Sequence, residues 1–251
     1  MRQAVESLPM LERPLKDKIV LITGAARRVG RMFALACGRA GADVAIHYWR
    51  SEEDAESLRD EITGSGCRTW LFQADLSDST QAQRLIPQIN ESTPLHYLIN
   101  SAAIFEALTI ESSSLEDWER HIAINLTAPF LLSQAFARQA QEGARIVNIL
   151  DWRALRPGAD HLPYTVSKVA LAAMTRSLAI ALAPKIIVNG LALGAILPPS
   201  HGEMNSEILR DVPLKRWAGE DEVAQALVFL LTCPAYITGE IIHLDGGRHL
   251  V

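Results

Sequence analysis

Tyr164 and Lys168 stand four residues apart in Tyr164-Thr165-Val166-Ser167-Lys168, at the start of a long apolar helical pattern. One helical turn separates them, so phenol and ammonium project from one face. A free tyrosine ionises near pH ~10 and is a slow acid or base at neutral pH. A fixed cation beside it favours the phenolate and brings proton transfer within reach. Asp151 lies thirteen positions before the tyrosine, at the end of a strand predicted over 145–150. Tyr-x3-Lys occurs often by chance, so the weight falls on the elements that position it.

Apolar strand-like runs alternate with helical patterns along the whole chain. Strands are predicted at 18–23, 43–48, 69–73, 95–100, 144–150, 185–191 and 240–244, and helices at 29–40, 52–63, 79–91, 115–140, 163–183 and 221–232. This alternation predicts an α/β fold: a single-domain, doubly wound, mostly parallel seven-stranded sheet with helices on both faces. No linker, repeat or low-complexity segment divides residues 16–251, and residues 1–15 read as an N-terminal arm. The stretch 194–213 holds Pro198, Pro199, His201, Gly202 and Pro213 and interrupts the alternation. A long loop beyond a strand's carboxyl end is the place for a substrate lid, although a tolerated surface insertion would look the same.

The first strand runs into Thr23-Gly24-Ala25-Ala26-Arg27-Arg28-Val29-Gly30. Gly24 permits a tight turn and Gly30 close packing of the next helix, whose first amides would face a pyrophosphate. The spacing lacks the middle glycine of the usual dinucleotide fingerprint, and a plain glycine turn is the alternative. The second strand ends in His47-Tyr48-Trp49-Arg50-Ser51, with no carboxylate before Glu52. A ribose-binding Asp or Glu is therefore missing where NAD sites have one. The Arg50 guanidinium and the Ser51 hydroxyl suit a 2′-phosphate, with Arg27 adding charge, so Tyr48, Trp49, Arg50 and Ser51 predict NADPH. A solvated Arg50 and a merely capping Ser51 are the bland alternative. Asp75, before Leu76, is placed to bond an adenine amino group or only to begin the next turn. The fourth strand ends in Asn100-Ser101-Ala102, small enough to let a cofactor lie close to the backbone.

Composition limits the rest. Apolar residues make up 49% and charged residues 21%, the profile of an ordinary globular domain. A net charge of −5 and no Lys/Arg block speak against a nucleic-acid surface. Cys37, Cys67 and Cys233 are odd in number and lack metal-ligand spacing, so a reducing, cytoplasmic setting with no metal is expected. No stretch of the ~18 apolar residues that would cross a bilayer is apparent, and residues 1–15 lack a signal core.

Thr23-Gly24 with Gly30, Asn100-Ser101-Ala102, Asn125, Tyr164-x3-Lys168 and Asp245-Gly246-Gly247 together resemble the short-chain dehydrogenase/reductase family over residues 16–251. The resemblance implies that Tyr164 is the acid/base, that Lys168 lowers its pKa and holds the nicotinamide ribose, and that Asn125 supports a water and the lysine. It adds Gly194 to the cofactor contacts and implies a homotetramer built through the long helices and the last strand. Ser101 stands where the family usually has a second Asn, and Leu193 where it has Pro. Most members carry Ser where this chain has Asp151. A carboxylate there opposes a forming oxyanion but relays a proton or holds a nitrogen-rich ring. Asp151, residues 23–30 and His47-Tyr48-Trp49-Arg50-Ser51 resemble the pteridine reductases, including short-chain-type dihydromonapterin and dihydrofolate reductases. By that resemblance Arg28 contacts cofactor phosphates and the pterin, and Phe105 stacks on the substrate ring; a core aromatic is the alternative for Phe105. The leading expectation is NADPH-dependent reduction of a pteridine. A carbonyl or alcohol oxidoreductase comes second, and a cofactor-sensing regulator third.

Overall fold

The computed structural model describes residues 13–197 and 207–251. Among these, one sheet is formed by β1 (Ile19–Ile22), β2 (Asp43–Tyr48), β3 (Thr69–Gln73), β4 (Tyr97–Asn100), β5 (Ala144–Asp151), β6 (Ile186–Leu193) and β7 (Ile241–Leu244). The spatial order is β3-β2-β1-β4-β5-β6-β7, and every adjacent pair is parallel. The expected mostly parallel sheet is thus wholly parallel. Strand residues alternate between faces, so a sheet covered on both sides needs apolar side chains at every position. Val20 and Ile22 join one core with α1 (Arg28–Arg39), α2 (Glu52–Gly64) and α8 (Glu220–Thr232). Ile19 and Leu21 join the other with α3 (Ser79–Ser92), α5 (Ala128–Gln139) and α6 (Leu162–Leu182). The chain reverses its winding between the neighbours β1 and β4, which opens a crevice at the strands' carboxyl ends.

Three details depart from expectation. The single helix predicted over 115–140 is α4 (Leu115–Ile122), a π turn (Ala123–Thr127) and α5 in succession. Second, α6 is, by length and composition, apolar enough to cross a bilayer, so the expectation of no such stretch is corrected. Here it packs against β5 and β6 and carries the buried Lys168. Third, the expected arm reaches the domain before residue 16. Leu15 is fully buried and its amide donates to the Ala40 carbonyl. Residues 198–206 of the expected lid lie outside the described residues, as do residues 1–12 of the arm. The lid's far side is α7 (Glu207–Arg210).

Candidate active site

A cavity of about 1140 Å³ follows the crevice at the carboxyl ends of the strands. At its cofactor end, Gly24 adopts φ +65°, and a Cβ on Gly30 would stand 2.1 Å from the Gly24 carbonyl oxygen. Only glycine brings α1 this close to β1. Arg27, at the helix N-cap, offers no side-chain acceptor, so no side chain caps the amides that open α1 onto the cavity. The turn is held from the side. His47 Nδ1 accepts from the Gly24 amide at 3.0 Å, and its Nε2 lies 3.1 Å from the Ala74 carbonyl. Both bonds require the neutral ring protonated on Nε2, and burial keeps it neutral by lowering its pKa to about 4. Thr23 Oγ1 accepts from the Ser101 and Ala102 amides at 2.9 and 3.0 Å, fixing the β4 end to the β1 end.

Of the residues expected to contact the cofactor, Gly24, Arg27, Arg28, Val29, Gly30, Trp49, Asp75, Leu76, Ser101, Ala102 and Gly194 line this cavity. Five anticipated cofactor residues are placed elsewhere. Thr23 and Asn100 are buried behind the wall; Asn100 Nδ2 donates to Asn148 Oδ1 at 2.8 Å. Tyr48 packs into the core, while the exposed Arg50 lays its guanidinium 5.8 Å from the Trp49 ring centre. Ser51 begins α2 without spending its hydroxyl on a cap bond. Asp75 Oδ1 accepts from the Ser77 amide and hydroxyl, so it shapes the next turn while still facing the cavity.

At the other end the chemistry-bearing residues converge. The Tyr164 hydroxyl donates to Asp151 Oδ2 at 3.1 Å. Lys168 Nζ donates to the Ile149 carbonyl at 2.7 Å and lies 5.8 Å from the Tyr164 ring centre. The expected drop in the tyrosine pKa does not appear in this arrangement. Burial and the adjoining Asp151 charge hold Tyr164 well above its ordinary value. Burial also lowers Lys168 to about 8. Asp151 is raised by burial, opposed first by the Arg153 amide and guanidinium charge, then by Tyr164 and Lys168. The three titrate as one coupled set.

Asn125 sits in the π turn, fully buried. Its Oδ1 accepts from the Ile104 amide at 2.9 Å, while Nδ2 donates to the Ile104 carbonyl and to Ser167 Oγ, each at 3.1 Å. It therefore clamps the loop after β4 to the helix that carries Tyr164 and Lys168. No bond joins it to the lysine. Phe105 is 54% exposed, not a core residue. Its face stacks on His161 at 4.1 Å, and Tyr164 meets it edge-on at 4.6 Å.

Trp152, Arg153, Asp160, His161 and Trp217 also line this end and were not anticipated. Four of the five lie between Asp151 and Tyr164 or directly beside them in sequence. That interval was the one available signal. Among the described residues no cluster of His, Cys, Asp or Glu could hold a metal ion.

A family profile described as enoyl-(acyl carrier protein) reductase matches residues 24–249. The chain is 31% identical to a 3-oxoacyl-[acyl-carrier-protein] reductase of Synechocystis over 240 residues, covering 93% of this chain and 97% of the relative. A blue fluorescent protein from a metagenomic library, solved with NADPH, superposes with a TM-score of 0.89 at 32% identity, covering 94% of this chain and 99% of that one. The FolM alternative dihydrofolate reductase 1 of Brucella canis, solved with NADP, gives a TM-score of 0.89 at 32% identity, covering 95% and 96%. With this match and the Tyr164–Lys168 pair at the mouth of a wholly parallel doubly wound sheet, the chain belongs to the short-chain dehydrogenase/reductase family of NAD(P)H-dependent oxidoreductases.

Proposed function

We propose that the protein reduces a pteridine of the dihydropterin or dihydrofolate type, with NADPH as its cofactor. The observation that carries this reading is the Asp151–Tyr164 hydrogen bond at 3.1 Å, a carboxylate partnering the phenol, in a pocket walled by Phe105, Trp152, His161 and Trp217. A flat heterocycle rich in N–H groups suits aromatic walls and a carboxylate acceptor. The glycine turn, the uncapped start of α1, Arg27 and Arg28 fit a dinucleotide pyrophosphate; Arg50 and Ser51 would take the 2′-phosphate.

When bound, NADPH supplies the hydride. Tyr164 would deliver a proton from its hydroxyl to the ring nitrogen beside the reduced carbon, and Asp151 Oδ2, within hydrogen-bond reach of the phenol, would take up a proton from solvent and pass it back. Lys168 keeps a cation one helical turn away as negative charge develops on the phenol oxygen. Asn125 fixes the loop that bears Phe105. Cys37, Cys67 and Cys233 are unpaired and buried, which supports the proposal of a reducing, cytoplasmic setting.

The similarity to a 3-oxoacyl reductase favours a second reading, reduction of a ketone. Asp151→Ser separates the two. Measured by NADPH consumption, pteridine reduction should fall about 10²-fold or more on loss of the carboxylate. A ketone reductase would instead keep or gain activity, because a buried negative charge no longer opposes the oxyanion. Undiminished pteridine turnover in Asp151→Ser removes the pteridine reading. Equal use of NADH and NADPH by the unaltered protein removes the cofactor preference.

A further inference from the structure

Between Asp151 and Tyr164 the chain leaves β5, makes a short 3₁₀ turn (Trp152–Ala154) and returns through 155–161 to the start of α6. Within it, Arg153 is held in a way no surface arginine needs. Its guanidinium lies over Trp152, 4.7 Å from the ring centre, and over Phe105 at 5.6 Å. Arg248 covers Trp152 as well, at 4.8 Å. Nη2 donates to Asp160 Oδ2 at 2.9 Å, and the same carboxylate oxygen lies 2.8 Å from His161 Nδ1. Nη1 lies 3.7 Å from Asp151 Oδ1, which also accepts the Arg153 amide at 2.9 Å. The Arg153 side chain is only 16% exposed.

The division of labour on Asp151 is therefore clear. One oxygen, Oδ2, receives the Tyr164 hydroxyl, and the other, Oδ1, is taken by Arg153 through both amide and side chain. The Arg153 amide's hydrogen bond to Oδ1 at 2.9 Å and the guanidinium's ion pair with the same oxygen at 3.7 Å hold that side of the carboxylate and leave Oδ2 to the phenol. We infer that Arg153 is a positioning residue for the reaction: it orients Asp151 toward Tyr164 and holds it ionised, with Asp160 setting how much of the arginine's charge Asp151 feels.

The groups facing Asp151 are Arg153 from the 3₁₀ turn and Tyr164 and Lys168 from α6. Asp160, His161 and Arg248 stand one contact further out, through Arg153 and Trp152. Lys168 donates its hydrogen bond to the Ile149 carbonyl, so Arg153 is the cation with a direct contact to the carboxylate. Burial pushes Asp151 toward its neutral form; the Arg153 backbone amide opposes this most, and the Arg153 guanidinium charge next. Ionised, Asp151 accepts the Tyr164 hydroxyl and can take up and pass on a proton; an Asp151 that stayed protonated would donate to the phenol instead.

The inference rests on the Asp151–Tyr164 pair as the proton-handling unit and not on the identity of the substrate. The test is a carboxyl-carbon NMR titration of ¹³C-Asp-labelled protein, with Asp151 assigned by the signal lost in Asp151→Asn. Arg153→Met should raise the Asp151 midpoint by about one pH unit or more, the scale of losing an opposite charge at this range. Arg153→Lys should restore much of it. Asp160→Asn should move the midpoint down, because Arg153 then has one carboxylate partner instead of two. A structural role alone would not produce opposite signs from neighbouring substitutions, and Asp160→Asn keeps the question decidable if Arg153→Met fails to fold. An unmoved midpoint in a folded Arg153→Met, or an upward shift in Asp160→Asn, overturns the inference. A parallel pH profile of kcat/KM with dihydrobiopterin should show its acidic limb displaced by the same amount in Arg153→Met. No turnover by the unaltered protein would count against the pteridine reading, while the titration still decides the role of Arg153.

Discussion

Lys168 shows how much stability this site gives up for chemistry. It is 2% exposed, its ammonium donates to a neutral carbonyl, and burial brings its pKa from 10.5 down to about 8. The unfolded chain keeps the proton more readily than the folded one over that interval. The penalty is therefore full below about pH 8 and relieved as pH rises toward 10.5. Lys168→Met should consequently be more stable than the unaltered protein near pH 7, by about 2 kcal/mol. That advantage should shrink as pH rises through the same interval, while turnover is lost. Urea unfolding at several pH values measures it, and a variant less stable at every pH would refute the sign. Tyr164, Lys168 and Asp151 could be named from short spacings, whereas Asn125 came with the family resemblance. Arg153, Asp160 and His161 were not legible. Charged residues in a Pro- and Gly-containing loop read as solvated, and what returns this loop to the cavity is tertiary: His161 takes a left-handed φ of 52° just before α6 begins, and its ring docks on Phe105.

At the scale of elements, the π turn (Ala123–Thr127) does what a continuous helix could not. One widened turn carries the Asn125 side chain across to the Ile104 backbone, where it satisfies both donor and acceptor, and to Ser167 on α6. π turns inside helices cluster at functional sites for this kind of reason. Nothing in apolar periodicity marks one, since residues 115–140 keep a helical pattern across it; Asn125 among apolar neighbours was the available sign. Asn125→Leu preserves volume approximately but leaves the Ile104 amide and carbonyl unpaired. Stability should fall by about 2–4 kcal/mol, two buried groups' worth of lost partners. Turnover should fall too, because Phe105 follows in the same loop. A thermal midpoint within a degree or two of the unaltered protein would mean that water replaces the amide and that the clamp is not structural. The strands, by contrast, were read almost to the residue, because burial on both faces makes most of them predominantly apolar runs.

At the scale of the whole molecule, the sheet accounts for the cofactor and reacting ends of one cavity, and the outer helices raise the question of assembly. The two halves of the winding meet at β1 and β4, so residues from the glycine turn and from β5, α6 and the segment after β6 share one wall although they are far apart in sequence. The C-terminal 3₁₀ turn (Arg248–Leu250) reaches the same place through Arg248 over Trp152. Away from the cavity, α4, α5 and α6 leave Trp118, Phe130, Val169 and Ile180 exposed, the last at 83%. The C-terminal part of the chain leaves Phe229, Tyr236, Leu250 and Val251 exposed as well. Single apolar side chains on a surface need no explanation, but groups of them on neighbouring helices point to association. The homotetramer implied by the family resemblance is a proposal that these surfaces support: two separate apolar regions are what a dimer of dimers requires. Sedimentation velocity should give a species about four times the 27.6 kDa chain. Ile180→Asp, far from the cavity and already exposed, should halve the assembly or dissolve it without changing the helical content, because a charge at an interface core is costly. If the unaltered protein sediments as a 27.6 kDa monomer at micromolar concentration, the proposal fails and the exposed apolar residues of α4–α6 have no partner of their own kind.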